Sequence, residues 1–311
     1  MSEMIDGRAA APAQREWREA ALFVNGHSRR GREWYESAKE KLDQLGVPLK
    51  RAELVRQPSQ LPGMVSAAIS AGTDLIIVGG GDGTLSAAAQ KLAGTNTILG
   101  LLPFGTGNEF ARDLTIRTDV QAACETIAAG RVQKIDVGTI NDQVFINVAT
   151  VGLSTLIAKE LTEDAKRAYG RFVYVFALLR ALRRIRPFQV TLESVDGTQC
   201  IEALQVVIGN GKYHAGPFPI APNASITDGK LIVYAVGGTN KWELLRFAAR
   251  LPGGQHVRLP EVTDLCVSAG TLKTSPPQQI TIDGEVGGST PVRFGIRPGA
   301  LRVLVPVDFK A

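Results

Sequence analysis

The chain has 311 residues, enough for two domains or one large one, which excludes a small module that folds only around disulfides or a metal. Hydrophobic residues make up 44% and charged residues 21%, a composition that excludes general disorder. The net charge of +5 permits an anionic partner and by itself leaves nucleotide, nucleic acid and anionic lipid open.

The first part of the chain, up to about residue 140, alternates short apolar runs with longer helical patterns, which predicts a parallel sheet. The predicted strands are 21–24, 49–55, 74–78 and 97–102, and the predicted helices are 34–45, 64–71, 84–92 and 108–113. We therefore expect a doubly wound, Rossmann-like α/β domain, whose ligands bind at the carboxyl ends of the strands.

The second part changes to β-rich runs, predicted as strands 190–193, 203–208, 231–236, 279–282 and 292–296 and interrupted by helical stretches 155–168, 171–185 and 241–250. We expect a second, mainly antiparallel, sandwich-like domain. The predicted division places 18–138 and a C-terminal return of 298–311 in a nucleotide-binding domain, and 139–297 in a substrate domain.

The cysteines and the lengths of the apolar runs indicate the cellular compartment in which the protein is expected. Cys124, Cys200 and Cys266 lie far apart and form neither a CxxC pair nor a thiolate zinc site, which favours a reducing cytoplasm. No signal peptide opens the sequence, and no apolar run reaches the ~20 residues of a membrane span. We therefore expect a cytoplasmic protein.

The sharpest motif is a glycine loop between a predicted strand and a predicted helix, Val78-Gly79-Gly80-Gly81-Asp82-Gly83-Thr84. Its backbone N–H groups and the helix dipole are able to face a phosphate. The carboxylate of Asp82 would repel phosphate unless a divalent cation lies between them, so a magnesium nucleotide is the natural ligand. The alternative is a turn that merely tightens strand and helix. Neither a P-loop nor a Rossmann dinucleotide motif is present.

A second loop of similar chemistry, from Pro103 through Thr106 to Asn108, also joins an apolar run to a helix. Adjacent parallel strands would place the two loops side by side. Asn108 either bonds the nucleotide or caps the helix.

Together these loops resemble the catalytic domain of diacylglycerol kinases, in the form found in soluble bacterial lipid kinases, within a superfamily that includes NAD kinases and 6-phosphofructokinases. Further motifs follow in the family's order: Phe23 to Ser28, Ile135 to Gly138, Asn147 to Gly152, Ile208 to Gly211, Ala221 to Ala224, Asp228-Gly229 and Asp283-Gly284-Glu285.

The resemblance implies a set of site residues. It assigns ATP binding to Asn25, Gly80, Gly81, Asp82, Gly83, Thr84, Leu85, Ser86 and Thr106. It assigns a magnesium ion to the side chain of Asp228 and the carbonyls of Ser225 and Lys230. It makes Glu285 the proton acceptor and Asp82 its catalytic companion at the nucleotide. From the residues alone, Asp228-Gly229 is a turn and Asp283-Gly284 is a hairpin signal.

The chain departs from the family pattern at three places. Ser86-Ala87 stands where relatives usually have Asn-Glu, Glu109 replaces an Asp, and residues 54–56 lack a nucleotide-contacting Thr found in some relatives.

From Lys166 to Arg186 the sequence has basic and apolar residues and no acidic one, which suits a helix at a membrane surface. At helical spacing Arg180, Arg183 and Arg184 share a face. The alternative is a core helix with a solvated basic edge.

These observations predict an ATP- and Mg²⁺-dependent lipid kinase of phospholipid biosynthesis that phosphorylates a lipid hydroxyl. Diacylglycerol, which would give phosphatidate, is the first choice of substrate, and phosphatidylglycerol, sphingoid bases and other lipid alcohols stay open. The enzyme would be cytoplasmic and transiently at the inner face of the membrane, with no nucleic-acid partner and with a homodimer possible. The alternatives are an NAD kinase-like enzyme and a nucleotide- or lipid-binding protein without turnover.

Overall fold

The computed structural model of the chain describes residues 15–26, 31–160, 180–181, 183–215, 218–219, 221, 224–237, 250 and 262–310.

The N-terminal half alternates strands and helices, as the sequence predicts. In chain order its elements are β1 (Ala20–Asn25), α1 (Gly31–Gln44), β2 (Leu49–Val55), a short 3-10 turn (Pro58–Gln60), α2 (Leu61–Ser70), β3 (Leu75–Gly80), α3 (Asp82–Leu92), β4 (Ile98–Pro103), α4 (Glu109–Asp113) and α5 (Val120–Ala129). Helix α5 was not predicted, although Asp119 caps it by accepting a hydrogen bond from the Ala122 N–H at 2.8 Å.

The C-terminal half is rich in strands. They are β5 (Arg131–Ile140), β6 (Gln143–Phe145), β7 (Val148–Gly152), β8 (Phe188–Ser194), β9 (Gly197–Gly209), β10 (Tyr213–Ala215), β11 (Phe218–Pro219), β12 (Leu231–Gly237), β13 (Val262–Val267), β14 (Ala269–Ser275), β15 (Gln279–Ile282), β16 (Glu285–Ser289) and β17 (Val292–Val305), with helix α6 (Leu153–Glu160) after β7.

Strand direction separates the two halves. Strands β2, β1, β3 and β4 pair in parallel in that order, and β17 joins β4 in parallel. The strands of the second half pair antiparallel, for example β7 with β9 and β15 with β16. The predicted fold class, a parallel α/β domain followed by an antiparallel sandwich-like domain, is confirmed.

The described residues form three buried apolar clusters, of which two are large. One fills the N-terminal half and includes Phe23 and Phe110, and the other lies inside the antiparallel half and includes Phe145 and Phe294. Helix α3 joins the first cluster through its buried Leu85, Ala88, Ala89 and Leu92, a spacing typical of one helix face. Because that face is buried, the N-terminus of α3 is held at the end of β3.

The predicted helices in the middle of the chain are described only in part. Helix α6 covers the start of the predicted stretch 155–168, and residues 180–181 and 183–184 are helical. The rest of the stretches 155–168, 171–185 and 241–250, apart from residue 250, and therefore most of the basic stretch, lie outside the described residues. Within the described ranges, no helix has the length and apolar character to cross a membrane.

Candidate active site

The two glycine loops lie side by side, as predicted, because β3 and β4 are paired neighbours. Their main chains touch: a Cβ on Gly105 would lie 2.7 Å from the Cα of Gly81. Gly105 therefore requires glycine, a Cβ on Gly81 would also be tight at 3.3 Å from the Gly105 Cα, and the loops form one surface at the carboxyl edge of the sheet.

The first loop is closed by Thr84, which lies in the first turn of α3. A Cβ on Gly80 would lie 2.5 Å from the Thr84 Cβ, so Gly80 lets the helix approach the strand. The Asn25 side chain donates a hydrogen bond from Nδ2 to the Thr84 Oγ1 at 3.1 Å. The end of β1 is thus tied to the glycine loop, which brings together three of the predicted nucleotide residues.

Asp82 is the first residue of α3 and is half-buried. Its Oδ1 accepts a hydrogen bond from the Phe110 N–H at 3.2 Å, at the start of α4. A Cβ on Gly107 would lie 3.1 Å from Oδ2, so the carboxylate is wedged between the loops. Asp82 is therefore fixed in position by both loops.

Asn108 shapes the second loop. It has left-handed backbone angles, with φ 48° and ψ 44°, and its side chain makes no cap to α4. Instead Oδ1 accepts from the Gly105 N–H and Nδ2 donates to the Gly105 carbonyl, both at 2.8 Å. The buried amide folds the loop onto itself, so the helix-capping alternative is wrong for this side chain.

Thr106 is exposed beside this loop. It lines a cavity of about 370 Å³ whose walls include Trp34 and Phe104, rings stacked at 4.8 Å between centroids. This cavity adjoins the glycine surface and is separate from the main cleft described next.

The main cleft has a volume of about 710 Å³, within the range of small-molecule sites. Its lining combines both halves of the chain: Asn25, Gly81, Gly83 and Thr84 come from the N-terminal half, and Glu285 comes from the hairpin of β15 and β16. The structure therefore brings Glu285, distant in sequence, to the same cleft as the glycine loop.

Glu285 follows a two-residue turn. Asp283 and Gly284 have φ of 46° and 88°, and Ile282 pairs with Glu285 across the turn, the geometry of a tight hairpin that Asp-Gly favours. The hairpin interpretation of the sequence is correct. Glu285 itself is exposed at the start of β16.

The carboxylate of Asp283 organises this turn. Oδ1 accepts from the N–H groups of Asn147 and Val148, at 2.9 and 3.0 Å, and Oδ2 accepts from the Ile146 N–H at 2.9 Å. Oδ2 also accepts from the Ser86 hydroxyl at 2.6 Å. Burial raises the pKa of Asp283 above its ordinary value, although these four donors oppose the shift.

Leu85 and Ser86 are buried, and the Ser86 hydroxyl faces Asp283 in the other half of the chain. These two members of the predicted ATP set thus lie beneath the loop rather than on its surface. Glu109, the residue that replaces an Asp, lies near Tyr234 on β12. Burial of the Tyr234 side chain raises the pKa of Tyr234, and the negative charge of Glu109 raises it further.

The predicted magnesium residues lie in the loop before β12. Asp228 is exposed and its Oδ1 accepts from the Lys230 N–H at 3.0 Å, while the Ser225 hydroxyl lies 3.1 Å from that of Thr227. One carboxylate and two carbonyls are oxygen ligands of the kind that Mg²⁺ prefers, so the residue types fit. Among the described residues, no three His, Cys, Asp or Glu side chains gather as a metal site.

Asp136, which lies in the motif Ile135 to Gly138 but was not predicted as a site residue, holds that loop in place. The buried carboxylate accepts from the Gly229 N–H and from the Gly299 N–H, both at 2.7 Å. The Asp136 N–H donates to the Ile226 carbonyl at 2.8 Å. Because Asp136 lies on β5, where the chain passes between the halves, it anchors the predicted metal loop to that crossing.

Asp113, at the end of α4, makes another contact between the halves. Its Oδ1 accepts from the Lys212 N–H at 2.8 Å, and Gly211 leaves no space for a Cβ beside it. Burial raises the pKa of Asp113 to about 7; the Lys212 backbone and charge oppose the shift, and the Asp82 charge adds to it.

Asp113, Asp136 and Asp283 were missed as functional residues for a common reason. Each carboxylate accepts backbone hydrogens from residues far away in sequence, between 93 and 163 positions along the chain. For Asp136 and Asp283 the available signal was their place in the motifs Ile135 to Gly138 and Asp283-Gly284-Glu285, whereas Asp113 lies in neither motif.

Comparison with known families gives two matches along the chain. Residues 19–140 match the diacylglycerol kinase catalytic domain, and residues 147–305 match the YegS C-terminal NAD kinase beta sandwich-like domain. The two matched regions follow the change from parallel to antiparallel strands.

Individual proteins agree with these matches. A protein from Mycobacterium tuberculosis named "Diacylglycerol kinase" is 34% identical over 252 residues, covering 78% of this chain and 80% of its own. A Pseudomonas putida protein named "Probable lipid kinase YegS-like" is 32% identical over 249 residues, covering 78% and 81%. A solved structure described as a diacylglycerol kinase from Bacillus anthracis has a similar fold, with a TM-score of 0.78 at 22% identity over 94% of this chain and 98% of its own.

Proposed function

The chain belongs to the diacylglycerol kinase catalytic-domain family and is a lipid kinase, and from that premise we propose that it transfers the γ-phosphate of ATP to the hydroxyl of diacylglycerol, giving phosphatidate. The observation that carries the proposal is the shared lining of the main cleft by the glycine loop and Glu285. A phosphate-binding surface and an exposed carboxylate then face one substrate volume, as phosphoryl transfer to an alcohol requires.

The glycine loop would hold the phosphates. Gly80, Gly81 and Gly83 carry no side chain to obstruct an anion, and the N-terminus of α3 directs its dipole toward the cleft. Asn25 and Thr84 border the same volume and would position the nucleotide. Leu85 and Ser86 would support the loop from below, and Thr106 would contact the nucleotide from the adjoining loop.

Mg²⁺, when bound, would neutralise negative charge on the phosphates during transfer. Asp82 would hold that ion at the nucleotide, because its carboxylate is fixed between both loops. Asp228, with the Ser225 and Lys230 carbonyls, would hold a second, structural ion. That ion would stiffen the loop that Asp136 ties to the domain crossing.

Glu285 would act as the proton acceptor. As the hydroxyl oxygen of the lipid bonds to the γ-phosphorus, the bond from that phosphorus to the β–γ bridging oxygen breaks, and the hydroxyl proton passes to the Glu285 carboxylate. ADP is the leaving group. The exposed position of Glu285 at the rim suits an acceptor that approaches from outside.

The lipid would arrive from the inner face of the membrane. Arg180, Arg183 and Arg184 are exposed and lie at the end of the basic stretch that the sequence analysis selected. Their charges would attract anionic headgroups, so that a cytoplasmic enzyme reaches its substrate for phospholipid synthesis without crossing the bilayer.

Two measurements test the proposal. ATP consumption with and without mixed micelles of diacylglycerol separates a lipid kinase from a protein that binds without turnover, and NAD offered in place of lipid tests the NAD kinase-like alternative. Mass spectrometry of products from labelled ATP and a bacterial lipid extract identifies the acceptor. Labelled phosphatidate supports the proposal, whereas labelled NADP or another lipid phosphate alone contradicts it.

A further inference from the structure

The helix that bears the glycine loop and the hairpin that bears Glu285 are joined side chain to side chain. Ser86 lies on α3, one turn after Asp82, and donates its hydroxyl hydrogen to Asp283 Oδ2 at 2.6 Å. Asp283 lies two residues before Glu285. The contact therefore connects the glycine loop, proposed to bind ATP, with the hairpin that carries Glu285, the proposed proton acceptor.

The position of Asp283 is fixed from its other side as well. Three consecutive N–H groups, from Ile146 to Val148, donate to its two oxygens at the start of β7. Next to them the buried hydroxyls of Thr150 and Thr281 lie 2.6 Å apart, which locks β7 to β15. The carboxylate thus holds the hairpin to the sandwich through the backbone and to α3 through Ser86.

The backbone conformation of the turn links this hydrogen-bond network to the position of Glu285. Asp283 has φ of 46°, a left-handed conformation that Asp adopts more readily than most residues with a side chain and that this two-residue turn requires. Glu285 is exposed and follows directly, so its position depends on the conformation of the turn. A turn held by four hydrogen bonds would present Glu285 in one place rather than several.

We propose that Ser86 and Asp283 are positioning residues that fix Glu285 relative to the phosphate loop, and that they therefore set the rate of transfer rather than the affinity for ATP. The inference rests on the proposed function, in which Glu285 accepts the proton. Ser86 stands where the family usually has Asn, so this chain makes the link with a hydroxyl.

Alternative roles for Ser86 predict different behaviour. If Ser86 contacted ATP, its removal would raise the KM for ATP; however, the side chain is 3% exposed and its hydroxyl already points to Asp283. If Ser86 only filled space in the core, alanine would serve equally well, because it fits the same volume and favours a helix. A positioning role predicts a lower kcat with an unchanged ATP KM.

The experiment compares Ser86→Ala, Ser86→Thr, Asp283→Asn and the double variant Ser86→Ala/Asp283→Asn with the wild type. The control is Ser70→Ala, at an exposed position at the end of α2. Steady-state kcat and ATP KM are measured with dispersed short-chain diacylglycerol. Hydrogen–deuterium exchange of the 283–287 amides is followed in parallel, because it reports on the hairpin independently of turnover.

We expect Ser86→Ala to lower kcat by about tenfold, the worth of a hydrogen bond to a charged group, with ATP KM within about twofold. The 283–287 amides should exchange faster in that variant. Ser86→Thr, which keeps the hydroxyl, should recover most of kcat, and the double variant should lose less than the product of the two single losses.

A wild-type kcat or a wild-type exchange rate in Ser86→Ala overturns the inference. So does a loss confined to ATP KM, or a Ser86→Thr variant as slow as Ser86→Ala. A wild-type protein that phosphorylates no lipid contradicts the proposed function instead, and the exchange data would still decide whether Ser86 holds the hairpin. The two failures are therefore distinguishable.

Discussion

One side of the cleft consists of glycine loops, in which Gly80, Gly81 and Gly105 allow neighbouring segments to approach closely. On the opposite side, the carboxylate of Asp283 holds the hairpin through hydrogen bonds. The first side depends on the absence of side chains, and the second depends on the presence of one. The two sides should therefore respond to substitution in different ways: the glycine side through steric contacts, and the hairpin side through lost hydrogen bonds and charge.

The largest effect should come from Asp82, the charged residue on the otherwise neutral glycine side. Asp82→Asn keeps the shape and the acceptor for the Phe110 N–H but removes the charge that would hold Mg²⁺. We expect kcat to fall by roughly 10³-fold, the scale of losing an electrostatic contact in a transition state. The control is Asp43→Asn, at an exposed position on α1. A folded Asp82→Asn variant with wild-type kcat and ATP KM would show that the charge has no such role.

The next largest effect should be on binding to the membrane surface, from which the lipid substrate would reach the second half of the chain. Replacing Arg180, Arg183 and Arg184 with Gln should weaken binding to anionic vesicles by about 3 kcal/mol, roughly two orders of magnitude, since each basic residue contributes ~1 kcal/mol at such a surface.

Its control removes the same charge elsewhere, through Lys39→Gln, Lys91→Gln and Lys310→Gln, all exposed. Co-sedimentation with vesicles gives the affinity, and turnover of dispersed lipid should hardly change. Equal vesicle binding by the two triple variants would instead mean that the three arginines act only through the net charge of the protein and form no specific membrane-binding face.

A smaller effect tests whether the glycine side really depends on missing side chains. Gly80→Ala places a Cβ 2.5 Å from Thr84, which forces the loop or helix to move. Overpacking of this kind costs about 1–3 kcal/mol of folding free energy, and the loop that the added methyl group displaces should bind ATP more weakly in calorimetry. Gly63→Ala, with nothing within 4 Å of the added Cβ, is the control. Unchanged ATP affinity in Gly80→Ala would contradict the steric account.

The last effect concerns Asp113, at the contact between the two halves, and is seen as a pH dependence of the free energy of unfolding. Asp113 has a pKa raised to about 7 in the folded protein, so between its ordinary value and 7 the folded state binds more protons than the unfolded state. Its contribution to the free energy of unfolding should therefore fall as the pH rises from about 4 to about 7, by at most about 1.4 kcal/mol per pH unit.

Chemical denaturation across this pH range measures the difference between the wild type and Asp113→Asn, which removes the titration and keeps the acceptor for Lys212. Asp283, with its pKa also raised, titrates in both proteins and cancels in the comparison. A difference independent of pH would mean that folding does not change the pKa of Asp113.

The same contrast explains what the sequence could predict. The glycine side follows from local pattern: an apolar run, glycines and a helix start are adjacent in sequence, so the loop at Gly80 and its neighbour at Gly105 could be predicted together. The hairpin turn at Asp283-Gly284 could also be predicted from its local sequence. The hydrogen-bond partners of Asp283 could not be predicted in this way, because Ser86 and Ile146 to Val148 are more than a hundred residues away.

Two local features were missed for different reasons. Helix α5 has a clear N-cap in Asp119, but its Ala-rich sequence carries a weak apolar period. Asn108 was expected to bind the nucleotide or cap α4, and only the folded loop shows that both ends of its amide bond Gly105. A polar side chain beside a helix start has several partners within reach, and the backbone conformation selects among them.

The most direct test of the whole account is pre-steady-state phosphoryl transfer by Glu285→Gln, with ATP binding measured on the same protein. The account predicts that labelled phosphatidate forms about 10²- to 10⁴-fold more slowly than in the wild type while ATP affinity stays unchanged, because only the proton acceptor is lost. A transfer rate within about tenfold of the wild type would contradict it and would assign the proton to another group.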